Sequence, residues 1–128
     1  METQQLLVYI AAAAIVALYL LNKWKKSRMP HYSPKQVAEL LHSPDVVLLD
    51  VRTQQERQQK TIKGSLHIPL DQLSRKLDTL TKYKEKEIIC FCQSGSRSSA
   101  ATSLLVKNGF QAANMVGGMS AWSLAQVS

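Results

Sequence analysis

The sequence predicts an α/β domain, a central and mainly parallel sheet flanked by helices, preceded by one transmembrane helix. Three observations carry this expectation. Residues 46–51 and 88–92 are continuous apolar runs rich in β-branched residues, the pattern of strands buried on both faces of a parallel sheet. Helix-period stretches alternate with them along the chain, as α/β architectures require. Residues 6–21, LLVYIAAAAIVALYLL, are apolar on every side apart from two tyrosine hydroxyls, so they do not form a surface helix with one buried stripe.

The bulk numbers bound the rest. A chain of 128 residues fits one domain with a terminal appendage. With 45% hydrophobic and 20% charged residues it is not globally disordered. Two cysteines, two positions apart, make no disulfide framework and point to a reducing compartment. Of the net charge of +7, Lys23, Lys25, Lys26 and Arg28 supply four within six residues. Aromatic and basic residues do not interleave, so no nucleic-acid partner is expected.

Residues 1–5 read as a short tail and residues 6–22 as the spanning helix, which rises about 24 Å over its apolar run, close to a bilayer's hydrocarbon core. Asn22 then meets the interface, with Trp24 as an aromatic anchor. A signal peptide wants basic residues before its apolar run, whereas the charged side chain there is Glu2. The basic cluster follows the run, and the positive-inside rule keeps the C-terminal side in the cytoplasm, here of a bacterial inner membrane. Residues 23–31 form a basic juxtamembrane linker and residues 32–126 the soluble domain.

Within that domain, Ser33, Pro34 and Gln36 open a helix with an S-x-x-Q capping box. Val37, Leu40 and Leu41 share its inner face, and Pro44 ends it near Ser43. The first apolar run carries Asp50, with Arg52 just beyond it. Ligands of open parallel sheets bind beyond the strands' carboxyl ends, so both residues are expected at the site's edge. They read either as supporting site residues or as a structural salt bridge. Residues 53–63 are a polar, glutamine-rich passage, Gly64-Ser65 a turn, and residues 66–69 a short strand ended by Pro69. Asp71 is expected to cap one helix through about Leu80, with Leu73, Leu77 and Leu80 as its stripe. Residues 83–87 are a charged connection. Later come a helix from Ser98 to Asn108 stopped by Gly109, a strand over residues 112–116, a Gly117-Gly118 turn and a last helix over residues 119–126. Phe110 and Trp122 read as core.

The stretch that carries chemistry is IICFCQSGSRS, residues 88–98. A thiol at a strand end is followed by a small polar loop and a helix N-terminus. The N–H groups from Gln93 to Arg97 can converge on one point, the helix dipole adds partial positive charge there, and Arg97 adds a full one. All three favour thiolate over thiol, so Cys92 is the expected nucleophile. Gln93, Ser94, Gly95, Ser96 and Arg97 are the expected substrate-binding residues, with Asp50, Arg52 and Ser98 in support. Cys90 shares a strand face with Cys92 and reads as a small buried core residue. Two thiols without a nearby histidine are too few for a closed zinc site, so neither metal nor cofactor is expected.

With these residues in place, positions 32–126 resemble a single-domain rhodanese. The early motif is met by Asp50-Val51-Arg52, Glu56, Ile62, Gly64, Ile68 and Pro69. The late one is met by Cys92, Gly95, Arg97, Ser98, Gly109-Phe110, Gly117-Gly118 and Trp122. The chain departs from the family pattern at Arg57, where an aromatic is usual, and at Lys60 and Thr61, where Gly-His is usual. The resemblance implies a sulfurtransferase with a persulfide on Cys92. Its sulfur would come from a small donor such as thiosulfate and pass to cyanide, a thiol or a partner protein's cysteine.

Two other readings stand beside it. One is a membrane-tethered persulfide relay or docking module with little small-molecule turnover, since an anchor raises the effective concentration of membrane partners. The other is a Cys-dependent phosphatase or arsenate reductase. Phosphatases on a rhodanese-like fold use Cys-x5-Arg, and the shorter Cys-x4-Arg spacing here suits a sulfane sulfur better than a tetrahedral oxyanion.

Overall fold

All five strands of the sheet run in the same direction. In chain order the elements are α1 (Thr3–Ser27), β1 (His31–Tyr32), α2 (Pro34–Leu40), β2 (Val46–Asp50), α3 (Gln54–Gln59), β3 (Leu66–His67), α4 (Leu70–Leu73), a 3₁₀ helix (Leu77–Tyr83), β4 (Glu87–Phe91), α5 (Ser96–Lys107), β5 (Gln111–Met115) and α6 (Gly118–Leu124). The computed structural model describes residues 2–27 and 29–125. Arg28 of the linker and Gln126 at the expected domain end lie outside the described residues, as do the side chains of Lys25 and Lys26.

α1 extends past the apolar run at both ends. The most apolar 18-residue window of Thr3–Trp24 has a mean hydropathy of 2.0 and none of it is buried, so the helix is long and apolar enough to cross a bilayer. α2 starts where its capping box puts it: Ser33 Oγ accepts from Gln36 N–H, and Gln36 Oε1 accepts from Ser33 N–H. The polar passage after β2 holds a helix, α3, that hydrophobic periodicity cannot reveal because no residue of it is buried. The signal for it is a second capping box, Thr53 with Glu56.

One element differs from expectation. The single helix foreseen from Asp71 to Leu80 is two short pieces, α4 and the 3₁₀ helix, and α4 has Pro69 at its N-cap rather than Asp71. The physical reason is a change of period. From Leu77 onward the inward residues are Leu77, Leu80 and Tyr83, spaced by three, which line one side of a 3₁₀ helix and drift around an α-helix.

The strand order β1-β5-β4-β2-β3 places the two apolar runs side by side at the centre, with Asp50 paired to Phe91. After β2 the chain moves outward to β3; after β4 it moves outward the other way to β5. The crevice beyond the ends of β2 and β4 is therefore the topological switch point, where open α/β sheets bind ligands. Alternation along β4 splits the core. Ile88, Cys90 and Cys92 face Leu73, Leu80, Ala101 and Leu105 on one side, while Ile89 and Phe91 face Val37, Ile62 and Met119 on the other.

α6 pins the segment that leaves β4. Met119 N–H donates to Cys92 O at 2.9 Å and Ser120 N–H to Gln93 O at 3.2 Å. Gly118 makes this approach possible: its φ is +55°, and a Cβ there would collide with Cys92 O and the Gln93 backbone. Gly118→Ala is expected to lower unfolding free energy by about 2–4 kcal/mol, from left-handed strain and overpacking together. Urea denaturation checks this.

Candidate active site

β4 ends at Phe91, so Cys92 is the first residue beyond the sheet, and α5 begins at Ser96, two residues earlier than the sequence pattern suggested. Gly95, at φ 112°, occupies the N-cap without a side chain to fill it. The sulfur of Cys92 takes that place. Gly95 N–H donates to Sγ at 3.0 Å, Ser98 Oγ lies 3.4 Å away, and the N–H groups of Ser94 and Ser98 also hydrogen-bond to it.

These contacts set the charge of the thiol. Cys92 is buried, and burial alone would push its pKa up. The Ser98 hydroxyl and the N–H groups of Ser98, Gly95 and Ser94 outweigh that effect and lower it below the ordinary thiol value. Cys90 lies deeper in the same core cluster, where burial dominates and pushes its thiol up to about 12. One thiol of the pair is poised to ionise and the other is not.

Arg97 does something other than leave a free charge beside the sulfur. Its Nη1 and Nη2 donate to Glu56 Oε1 and Oε2 at 2.7 and 2.8 Å, a bidentate pair. Glu56 can reach it because the Thr53 capping box fixes the start of α3. Hydrogen bonds from Arg97, outweighing partial burial, hold the Glu56 carboxyl at about 2 and raise the Arg97 guanidinium. Thiolate stabilisation thus comes mainly from local hydrogen bonds.

Asp50 and Arg52 stand at the same sheet edge, 0% and 2% exposed. Asp50 accepts from Arg52 N–H, Nε and Nη2, each at 3.0 Å, from Thr61 Oγ1 at 3.0 Å and from Arg57 Nη1 at 3.3 Å. Burial opposes its ionisation, but these bonds prevail and lower its pKa. Arg52 Nη1 then donates to Gln93 Oε1 at 3.2 Å, and Gln93 Nε2 to Ser120 Oγ at 3.1 Å. A buried salt bridge thereby reaches the residue after the sulfur.

Beside this bridge lies a cleft of about 340 Å³, lined by Arg52, Glu56, Lys60, Gln93, Met119 and Ser120 among others. Lys60 Nζ donates to Ser123 Oγ at its edge. Of the expected site residues, Cys92, Ser94, Gly95 and Ser98 converge on the sulfur, while Gln93 and Ser96 are exposed and Arg97 half-exposed. Sequence reasoning assigned no site role to Glu56, Lys60 or Asn114. The Thr53–Glu56 capping box was a usable signal for the first. For Asn114 the signal was an amide inside an apolar strand.

Residues 33–125 match the family described as Rhodanese-like domain. The chain is 36% identical over 78 residues to YtwF of Bacillus subtilis, a protein named as a sulfurtransferase, covering 61% of this chain and 74% of that one. It is 31% identical over 85 residues to a sulfurtransferase of Allochromatium vinosum, covering 66% and 78%. The structure of a rhodanese-like domain protein from Staphylococcus aureus superposes with a TM-score of 0.68 at 32% identity, covering 73% of this chain and 91% of that one. Longer relatives match as well; the chain spans 23% of the tRNA uridine(34) hydroxylase of Cronobacter sakazakii.

Two outcomes follow from the site's electrostatics. Iodoacetamide at neutral pH is expected to label Cys92 and leave Cys90 untouched in the folded protein, with Cys92→Ser abolishing the label in a peptide map. The Glu56–Arg97 pair stabilises the fold fully above the ordinary Glu56 value of 4.5 and ceases to do so as pH falls through about 2. The stability deficit of Glu56→Gln in urea is therefore largest near neutrality and vanishes toward pH 2.

Proposed function

The chain belongs to the rhodanese-like domain family, and on that premise we propose that it is a membrane-anchored sulfurtransferase using a persulfide on Cys92. The observation that carries the reading is the sulfur itself, held at the start of α5 by Gly95 N–H and Ser98 in a site that lowers its pKa. In the first half-reaction the Cys92 thiolate attacks the outer sulfur of a donor such as thiosulfate. An S–S bond forms at Sγ, the donor's own S–S bond breaks, and its electron pair leaves on sulfite. In the second, an acceptor such as cyanide or a thiol takes the outer sulfur, and the electron pair returns to Sγ as thiolate. Two half-reactions through one covalent intermediate give ping-pong kinetics.

The residues take distinct parts in this scheme. The N–H groups of Gln93, Ser94, Gly95, Ser96 and Arg97 surround the place where the outer sulfur's negative charge resides. Asp50 and Arg52 hold Gln93, and through it the loop. Glu56 occupies Arg97 in a bidentate pair, and the cations that line the cleft through which an anionic donor arrives are Lys60 and Arg52. Residues 6–22 anchor the domain of residues 32–126 through the linker of residues 23–31, with the domain on the cytoplasmic side; the apolar helix and the basic cluster after it support that orientation. The same anchor favours a second reading, a persulfide relay between membrane-associated proteins.

Mass spectrometry after incubation with thiosulfate tests the proposal. One added sulfur on Cys92, removed by cyanide and absent from Cys92→Ser, is expected. An unmodified Cys92 overturns the thiosulfate reaction, and loading by a cysteine desulfurase instead would leave the relay reading standing.

A further inference from the structure

Asn114 of β5 pairs with Cys90 of β4 in the sheet register, so its side chain leaves the sheet on the face that carries Cys90 and Cys92. It is 4% exposed and takes no part in the reaction above. Its Oδ1 accepts the Ser98 hydroxyl at 2.6 Å. That hydroxyl has two other acceptors in reach, Gly95 O at 3.1 Å and Cys92 Sγ at 3.4 Å. A serine has one hydroxyl proton, so the three compete for it. The amide is held from its other end, because Nδ2 can only donate and faces His31 Nδ1 at 3.4 Å.

The two charge states of the sulfur resolve this competition differently. A protonated Cys92 can donate S–H to Ser98 Oγ while Ser98 donates to Asn114. A thiolate has no proton to give and draws the Ser98 hydroxyl to itself. We infer that Asn114 is a positioning residue of the Cys92 site, whose amide oxygen holds the Ser98 hydroxyl while the sulfur is protonated and yields it when the thiolate forms. The thiol proton leaves to solvent, and the Ser98 proton stays on its oxygen and changes acceptor. When charge moves to the outer atom of a persulfide, the inner sulfur becomes the poorer acceptor and the hydroxyl returns to Asn114. That last step rests on the proposed sulfur transfer; the first does not.

The ionisable groups around this pair are Cys90 on β4, Arg97 on α5 with Glu56 on α3, Asp50 of β2 with Arg52 and Arg57, and His31 on β1. Of these, His31 alone touches Asn114 among the contacts described, so a substitution at Asn114 acts on the sulfur chiefly through Ser98.

The test is the pH dependence of Cys92 alkylation by iodoacetamide in the full chain. Asn114→Leu, close in size and unable to accept, removes the nearer of the two rival acceptors, with Gly95 O remaining at 3.1 Å, and is expected to lower the alkylation midpoint by up to about one unit, the worth of one neutral hydrogen bond. Asn114→Ala gives a second route to the same readout should leucine fit poorly. In a Ser98→Ala background neither substitution should move the midpoint. An unchanged midpoint in the single variants, or a shift that survives Ser98→Ala, overturns the inference. Alkylation needs no sulfur donor, so this result stands or falls separately from persulfide formation.

Discussion

The Asp50 carboxylate is the constraint on which the site depends. A fully buried charge at a strand end is tolerable only when it is paired and its oxygens are satisfied. Arg52, Arg57 and Thr61 meet that requirement between them. Each also holds something else. Arg52 reaches Gln93 and the Lys60 carbonyl, and Arg57 reaches Thr61, Ser65 and the Ser65 carbonyl. One carboxylate thus ties the segment after β2 and the approach to β3 to the loop after β4, at the point where the sheet's connections diverge.

The sulfur is governed by a different kind of interaction. Both arginines of the site are committed, Arg52 to Asp50 and Arg97 to Glu56, and Lys60 points its ammonium at Ser123. What remains to favour the thiolate is a set of directed donors from Ser94, Gly95 and Ser98. Such donors act at one atom and cost little reorganisation, because the backbone that supplies them is already fixed by α5 and by the contact of α6 with Cys92 O. Proximity of charge and specificity of hydrogen bonding are separable here, and the second does most of the work at Cys92.

The departures from the family pattern belong to the same network. At Arg57 a guanidinium stands where an aromatic is usual, and it hydrogen-bonds to Asp50, Thr61 and Ser65 rather than packing as a ring. Thr61 likewise gives its hydroxyl to Asp50, and Lys60 gives its carbonyl to Arg52. Two unusual side chains, Arg57 and Thr61, therefore converge on one buried ion pair, whereas Lys60 contributes only a backbone carbonyl that any residue there would supply.

Much of this protein was legible in the linear sequence because it rests on local rules. Apolar runs with no polar face must be buried on both sides, which specified the central strands. Capping chemistry located α2, and a thiol followed by a Gly/Ser loop and a helix marked Cys92. Two kinds of feature escaped. A helix with no buried face, α3, leaves no hydrophobic period to read, and the step from α to 3₁₀ geometry after Leu73 depends on which leucines the core accepts. The partnerships of Arg97 with Glu56 and of Ser98 with Asn114 span 41 and 16 positions. Sequence determined which residues could carry charge or a proton; only the tertiary structure decided which were neutralised, because pairing depends on distances that chain order does not contain.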